Sequence, residues 1–284
     1  MSFEKHYIKI LDTVKKDIEK VVQLQIDSIN LAEPLRSQLL KILNAPSKHI
    51  RPLTAFLYLK ASNYEIDNNQ ILYQSAIETA HNASLIHDDI IDESTKRRNS
   101  DTLNSKFSNQ LAVITGDWLL AVALKKVLKI SIPKLADLFC DTIQEMTQGE
   151  INQYFTKYEI PTLKDYITKS ENKTAKLFET AISGSMIIAK SKDSGLDFAK
   201  NFGIAFQIRD DLINCLTDKS DIENGIYTAP VIFSNSKEIT QNGIEKTKDL
   251  LNNYLNNAEK SINYLPDNKY KSALKELLRI MKYE

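Results

Sequence analysis

Apolar residues recur every three to four positions along almost the whole chain, and few residues are available to break the pattern. Ile8, Leu11, Ile18, Val21, Val22 and Ile26 stand at helical spacing, and the same period returns over 35–43, 53–61 and 70–92. Further helices are predicted over 109–130, 133–155, 163–190, 195–217, 241–260 and 268–282. Glycine and proline number only seven each in 284 residues, too few for the turns of an all-β or dinucleotide-binding α/β chain. The prolines, from Pro34 to Pro266, fall between these segments or in their first turns, where a missing N–H costs little. No convincing strand pair, fixed-period repeat or Ser/Gly-rich linker interrupts the series. The expectation is an all-α fold, one helical domain over 1–284.

Charge narrows the function. Lysine plus arginine (37) equals aspartate plus glutamate (37), so no bulk field favours nucleic acid or an anionic membrane. A charged substrate must then meet local clusters. Cys140 and Cys215 lie in apolar helical stretches and make neither a disulfide framework nor a cysteine-rich metal site, which suits a reducing cytosol. The amino terminus lacks the apolar core and cleavage site of a signal peptide, and no uncharged run reaches bilayer-spanning length. A soluble, cytoplasmic protein is expected.

The strongest local signal is the segment from His81 to Glu93. Asp88 and Asp92 are four residues apart, one above the other on a helix face, with Glu78, His81 and Leu85 on the same side. Stacked carboxylates repel each other and offer hard oxygen ligands, the donors that Mg²⁺ bridging to a diphosphate requires. A bare Asp-Asp-x-x-Asp is often only a solvated helix end. Here Asp88 and Asp89 are embedded among Leu85, Ile86, Ile90 and Ile91, and Lys96, Arg97 and Arg98 follow as partners for phosphate oxygens. In a second cluster Asp210, 122 positions after Asp88, shares a stripe with Gln207 and Asn214 and is flanked by Asp211. Two acidic motifs on apolar helices suggest opposing walls of one metal-binding cavity.

With these motifs the chain resembles the trans-isoprenyl diphosphate synthases nearly end to end. The resemblance is carried by SKHIRP around Lys48, the His81 to Asp92 block, RRN at 97–99 and Gly116-Asp-Trp-Leu-Leu120. It continues through MTQGE at 146–150, Lys173-Thr174-Ala175, the Gln207 to Asn214 block and Asn224 to Pro230. It implies an isoprenoid synthase-type helical bundle around a deep central cavity, and a homodimer. It also implies that Asp88, Asp89 and Asp92 hold two Mg²⁺ ions and that Asp210 with Asp211 holds a third. Arg97, Lys173 and a loop lysine, Lys219, would neutralise the allylic diphosphate, and Lys48, Arg51, His81 and Arg98 would bind isopentenyl diphosphate. Thr174 and Gln207 would turn dipoles toward a carbocation. The implied activity is Mg²⁺-dependent condensation of the two diphosphates to an all-trans polyprenyl diphosphate.

In the same family, product length is read below the first aspartate motif. Ala80, Ala83 and Ser84 are small, so a product longer than twenty carbons is expected, with Phe139 matching a deeper floor position and Ala83→Tyr expected to shorten the product. Three departures bear on activity. Pro46-Ser47 replaces a glycine pair and His49 an arginine, Asn214 ends the second motif, and Ile226 replaces a lysine after Gly225. They leave a weakly active or regulatory prenyl-diphosphate-binding subunit, and a short-chain synthase, as competing readings. A terpene cyclase fits less well, because it needs no second diphosphate site and 210–218 offers no suitably spaced glutamate.

Overall fold

Sequence periodicity and capping residues account for most helix ends. The computed structural model describes residues 3–97 and 100–282, so Arg98 and its expected role lie outside the described residues. In chain order the first helices are α1 (Phe3–Asp12), α2 (Lys15–Asp27), α3 (Leu35–Leu43), α4 (Ile50–Ala61) and α5 (Asn68–Ile91). Next come β1 (Lys96–Arg97), β2 (Ser100–Asp101), α6 (Leu103–Lys106), α7 (Asn109–Lys129), α8 (Pro133–Phe155) and α9 (Leu163–Ser170). A π-helical turn (Glu171–Ala175) leads into α10 (Lys176–Ile188), followed by α11 (Leu196–Thr217), α12 (Ser220–Glu223), α13 (Ala229–Ser234), α14 (Gln241–Ser261) and α15 (Lys269–Met281). Asp67 caps α5 by accepting from the Gln70 N–H at 2.8 Å, and Ser108 caps α7 through Leu111. Pro133 opens α8 where its missing donor is not needed.

Three features depart from the sequence expectation. The first helical period is broken at Thr13, whose hydroxyl donates to the Ile10 carbonyl at 2.7 Å and competes with the helical ladder. The break rephases the face, so that Tyr7, Ile10, Val14, Ile18 and Val21 are buried while Ile8 is half exposed. The predicted 163–190 helix contains the π-helical turn, a rare insertion common at functional sites. The short hairpin β1–β2, with Lys96 opposite Asp101 and Arg97 opposite Ser100, carries no alternating pattern long enough to read from sequence.

The innermost helices are α4 and α10, which are buried on nearly every face. Leu53 to Leu59 anticipates this with one threonine and one tyrosine among apolar residues, whereas Leu177 to Met186 buries Glu179, Thr180, Ser183 and Ser185 along with its apolar side chains. Polar residues facing the centre find partners across helices. Gln74 donates to the Ala181 carbonyl at 2.8 Å and Ser185 Oγ at 2.9 Å, and Tyr73 donates to the Thr180 carbonyl at 3.0 Å, fixing the α5–α10 register. The long helix α5 also runs along α7, and α11 along α14, so the two aspartate motifs ride on helices held from both sides.

One buried charge is unusual. Lys126 on α7 donates to Ser75 Oγ at 2.9 Å, Thr79 Oγ1 at 3.2 Å and the Leu24 carbonyl at 3.3 Å, all neutral acceptors. Burial, with a smaller contribution from Lys129, pushes its ammonium down to about 8. Because the unfolded chain keeps its proton to about pH 10.4, unfolding takes up a proton between these values and stability rises with pH across that window. Denaturant titrations should therefore show the wild type gaining on Lys126→Met by up to about 1.4 kcal/mol per pH unit from pH 8 to 10. A constant difference would mean that Lys126 titrates normally.

Candidate active site

A cavity of about 560 Å³ opens among α4, α5, α8, the π-helical turn and α11. Helix α5 contributes a stripe of Ala80, Ser84 and Asp88, each four residues apart, with His81, Leu85 and Ile91 beside it. Across from it, α11 contributes Phe206, Gln207 and Asp210. Asp88 and Asp210 thus line the same cavity. Burial pushes the Asp88 carboxyl up to about 6, with Lys173 opposing and Glu150 and Asp92 adding. Burial also raises Asp210, against the pull of Arg209, Lys48 and Arg51. Both carboxylates are costly to keep ionised there, and a bound cation would relieve that cost.

The remaining acids of the two motifs are placed differently. Asp89 is buried away from the cavity and accepts from Arg97 Nε at 2.8 Å, while Asp92 caps the exposed end of α5. Asp211 is also buried. It accepts from Tyr166 Oη at 2.6 Å and from Gln207 Nε2 at 2.7 Å, and the Gln207 carbonyl oxygen accepts from the Thr174 hydroxyl. Tyr166 and Asp211 therefore orient the Gln207 amide that faces the cavity. The Asn214 amide donates to Ser220 Oγ at 2.8 Å and tethers the start of α12. Among the described residues no three His, Cys, Asp or Glu side chains converge as a preformed cation site. Asp88 and Asp210, hard oxygen donors raised by desolvation, with the charge of Asp92 felt by Asp88, still fit a divalent cation that enters with an anionic ligand.

Cations surround these acids. The π-helical turn presents both Lys173 and Thr174 to the cavity, and Lys173 Nζ pairs with Glu150 at 2.6 Å. Burial pulls the Lys173 ammonium down, but Asp88, Glu150 and Asp92 outweigh it and leave the group raised. Arg97 lines the same end. Lys48, His49, Arg51 and His81 line another part of the wall, with Arg51 over the Phe178 ring at 5.0 Å from its centroid. Lys219 does not join them. It is exposed, in a left-handed conformation at the start of α12, and lines no part of this cavity. Ile226 faces a second cavity of about 420 Å³, where Lys169 stands close to Asp211 and Asp221.

The apolar wall also differs from expectation. Ala80 and Ser84 line the cavity, whereas Ala83, rotated about 100° from Ser84, is enclosed with Leu39, Ile86, Ala112 and Leu119 on the other side of α5. A tyrosine at 83 would overpack that cluster instead of plugging the cavity. Phe139 is a core residue one turn below Ile143 on α8; the cavity wall is formed by Ile143, Met146, Leu120 and Phe206. Sequence reasoning assigned no role to Glu150, Tyr166, Lys169 or Asp221. Glu150 ends the MTQGE segment, but no periodicity marks Tyr166 or Lys169 as neighbours of residues more than forty positions away.

Helices enclosing an acid-walled, cation-lined cavity with an apolar side define an isoprenoid synthase-type bundle. The polyprenyl synthetase family model matches residues 32–267, and the chain belongs to that family. A prenyl transferase of Cyanidium caldarium is 30% identical, the match covering 95% of this chain and 96% of that protein. The heptaprenyl diphosphate synthase component 2 of Geobacillus stearothermophilus is also 30% identical, over 80% of this chain and 73% of its own. The crystal structure of a decaprenyl diphosphate synthase from Rhodobacter capsulatus superposes with a TM-score of 0.87, covering 97% of this chain and 98% of that one; at 20% identity it shows the shared fold.

Proposed function

We propose that this prenyltransferase condenses isopentenyl diphosphate with an allylic prenyl diphosphate, repeatedly, to an all-trans polyprenyl diphosphate longer than twenty carbons. The observation that carries the reading is the shared cavity of Asp88 and Asp210, with two separate groups of cations on its wall and an apolar side between helices. Arg97 and Lys173 neutralise the allylic diphosphate beside Asp88. Asp88, Asp92 and Asp210 would hold Mg²⁺, which would supply Lewis-acid stabilisation of the leaving diphosphate. Thr174 and Gln207 point dipoles at the cation left behind, and the Tyr166–Asp211 pair keeps the Gln207 amide from rotating. Lys48, Arg51 and His81 seat the second diphosphate so that its double bond meets the allylic carbon. The departing diphosphate accepts the final proton, so no side-chain base is required.

The length of the product is read along Ser84 and Ala80, where each helical turn adds about 5 Å of depth. Names of the family relatives at heptaprenyl and decaprenyl length support a long product. Purified chain given Mg²⁺, labelled isopentenyl diphosphate and a range of allylic primers should yield such products, and Ala80→Phe should shorten them by at least one prenyl unit while sparing the first condensation. Unchanged length in that variant would sink the wall assignment. Failure with every primer would favour a two-chain enzyme, the arrangement that the words component 2 attach to the Geobacillus relative.

Exposed Val113, Ile114 and Leu128 on α7, with Ile151 and Tyr154 on α8, support a dimer of this chain. No helix among the described residues is long and apolar enough to cross a membrane, and Cys140 and Cys215 are unpaired, in keeping with a cytosolic enzyme.

A further inference from the structure

His49 stands where an arginine was expected, and its surroundings give it work that an arginine would do differently. It precedes α4 in a left-handed conformation (φ 43°, ψ 43°), which few residues other than glycine adopt. Its ring lines the cavity beside Lys48, Arg51 and His81. Nδ1 lies 2.9 Å from Oε2 of Glu78, a nearly fully buried carboxylate on α5. A carboxylate accepts but cannot donate, so Nδ1 carries the proton of this bond and Nε2 is the nitrogen left for a ligand.

The geometry points to His49 as a further ligand of the second, unmetallated diphosphate, donating to it from Nε2 while Nδ1 donates to Glu78; this rests on the reading of the Lys48–Arg51 wall as that substrate's seat. With one proton, Nε2 presents a lone pair to phosphate oxygen and repels it. With two, the imidazolium lies between the Glu78 carboxylate and the diphosphate and donates to both. The other charged and titratable groups around it are Lys48 and Arg51 on its own stretch, His81 on α5, and Asp210 and Arg209 on α11. From α1, Tyr7 donates its hydroxyl to the Lys48 carbonyl. The bond to phosphate therefore needs the ring protonated at both nitrogens, so acid favours it and base removes it. An arginine at the same place would hold the anion at any pH.

The test compares wild type, His49→Asn and His49→Arg from pH 6 to 8.5 at saturating allylic substrate. Asparagine tolerates the left-handed backbone, so the fold should survive. At pH 6, His49→Asn should raise the KM for isopentenyl diphosphate about tenfold, leaving kcat and the allylic KM within about twofold. That ratio should shrink toward one by pH 8.5, and the wild type should lose affinity relative to His49→Arg over the same range, which cancels ionisation of the substrate itself. A ratio that is unity at pH 6, or constant with pH, overturns the proposal. Arg51→Gln separates the two layers of inference. If it raises the isopentenyl KM while His49→Asn shows no pH-dependent effect, the seat stands and His49 is not its ligand. If it moves only the allylic KM, the seat itself is misassigned.

Discussion

Asp88→Asn is expected to lower turnover by about three orders of magnitude while leaving the chain folded and no less heat-stable. The loss follows because a neutral amide offers one weak carbonyl donor where the carboxylate faces Lys173 and, in the proposed mechanism, would hold a divalent cation, and several kcal/mol of leaving-group stabilisation would go with it. Stability moves the other way. Asp88 titrates near 6, above the ordinary carboxylate value, so the unfolded chain releases this proton first and ionisation costs folding energy at every pH above that range. Its amide removes that cost and the repulsion from Glu150 and Asp92. Steady-state kinetics alongside metal-free thermal melts at pH 8 check both signs. A variant that melts well below wild type would show that Asp88 holds the fold together and would remove its claim to the chemistry.

The second large effect comes from a residue that touches no substrate. Gly203 on α11 lies against the π-helical turn, and a Cβ there would sit 2.5 Å from Ala175 Cα and 2.7 Å from Ala175 Cβ. Backbone cannot swing aside as a flexible side chain can, so Gly203→Ala must push α11 off the turn. Overpacking of this kind costs about 3 kcal/mol, which at this chain length lowers the melting temperature by roughly 6–12 °C. The shift also separates Thr174 from Gln207, whose bond spans the same two elements, and kcat should fall by about tenfold or more. Gly149→Ala is the control, since its nearest neighbour would be 3.5 Å away, and it should stabilise α8 by up to about 1 kcal/mol. Equal melting of Gly203→Ala and wild type would mean that the two elements are not in the close contact described.

Much of the fold was legible because long helices advertise themselves by period, and the long ones begin and end within a few residues of the predicted positions. The failures have local causes. Thr13 breaks a period through a side-chain hydrogen bond, and a two-residue hairpin is shorter than any alternating pattern. Within the site, residues four apart on one helix share a wall, as Ala80, Ser84 and Asp88 do. Adjacent residues do not, and the same arithmetic that unites them with their stripe cannot say which neighbouring helix each side meets. Ala83 and Asp211 face packed interior, and Lys219 faces solvent.

By itself, then, the order of residues determined that the chain would be helical, which helices carry acids, and which family it joins, because these depend on spacing along the chain. Only the tertiary structure decided that Asp88 and Asp210 share a cavity, that Asp89 and Asp211 serve Arg97 and Gln207, and that His49 meets Glu78. Those outcomes turn on the rotation of one packed helix against another, a quantity set by side chains far apart in sequence and therefore absent from any local pattern.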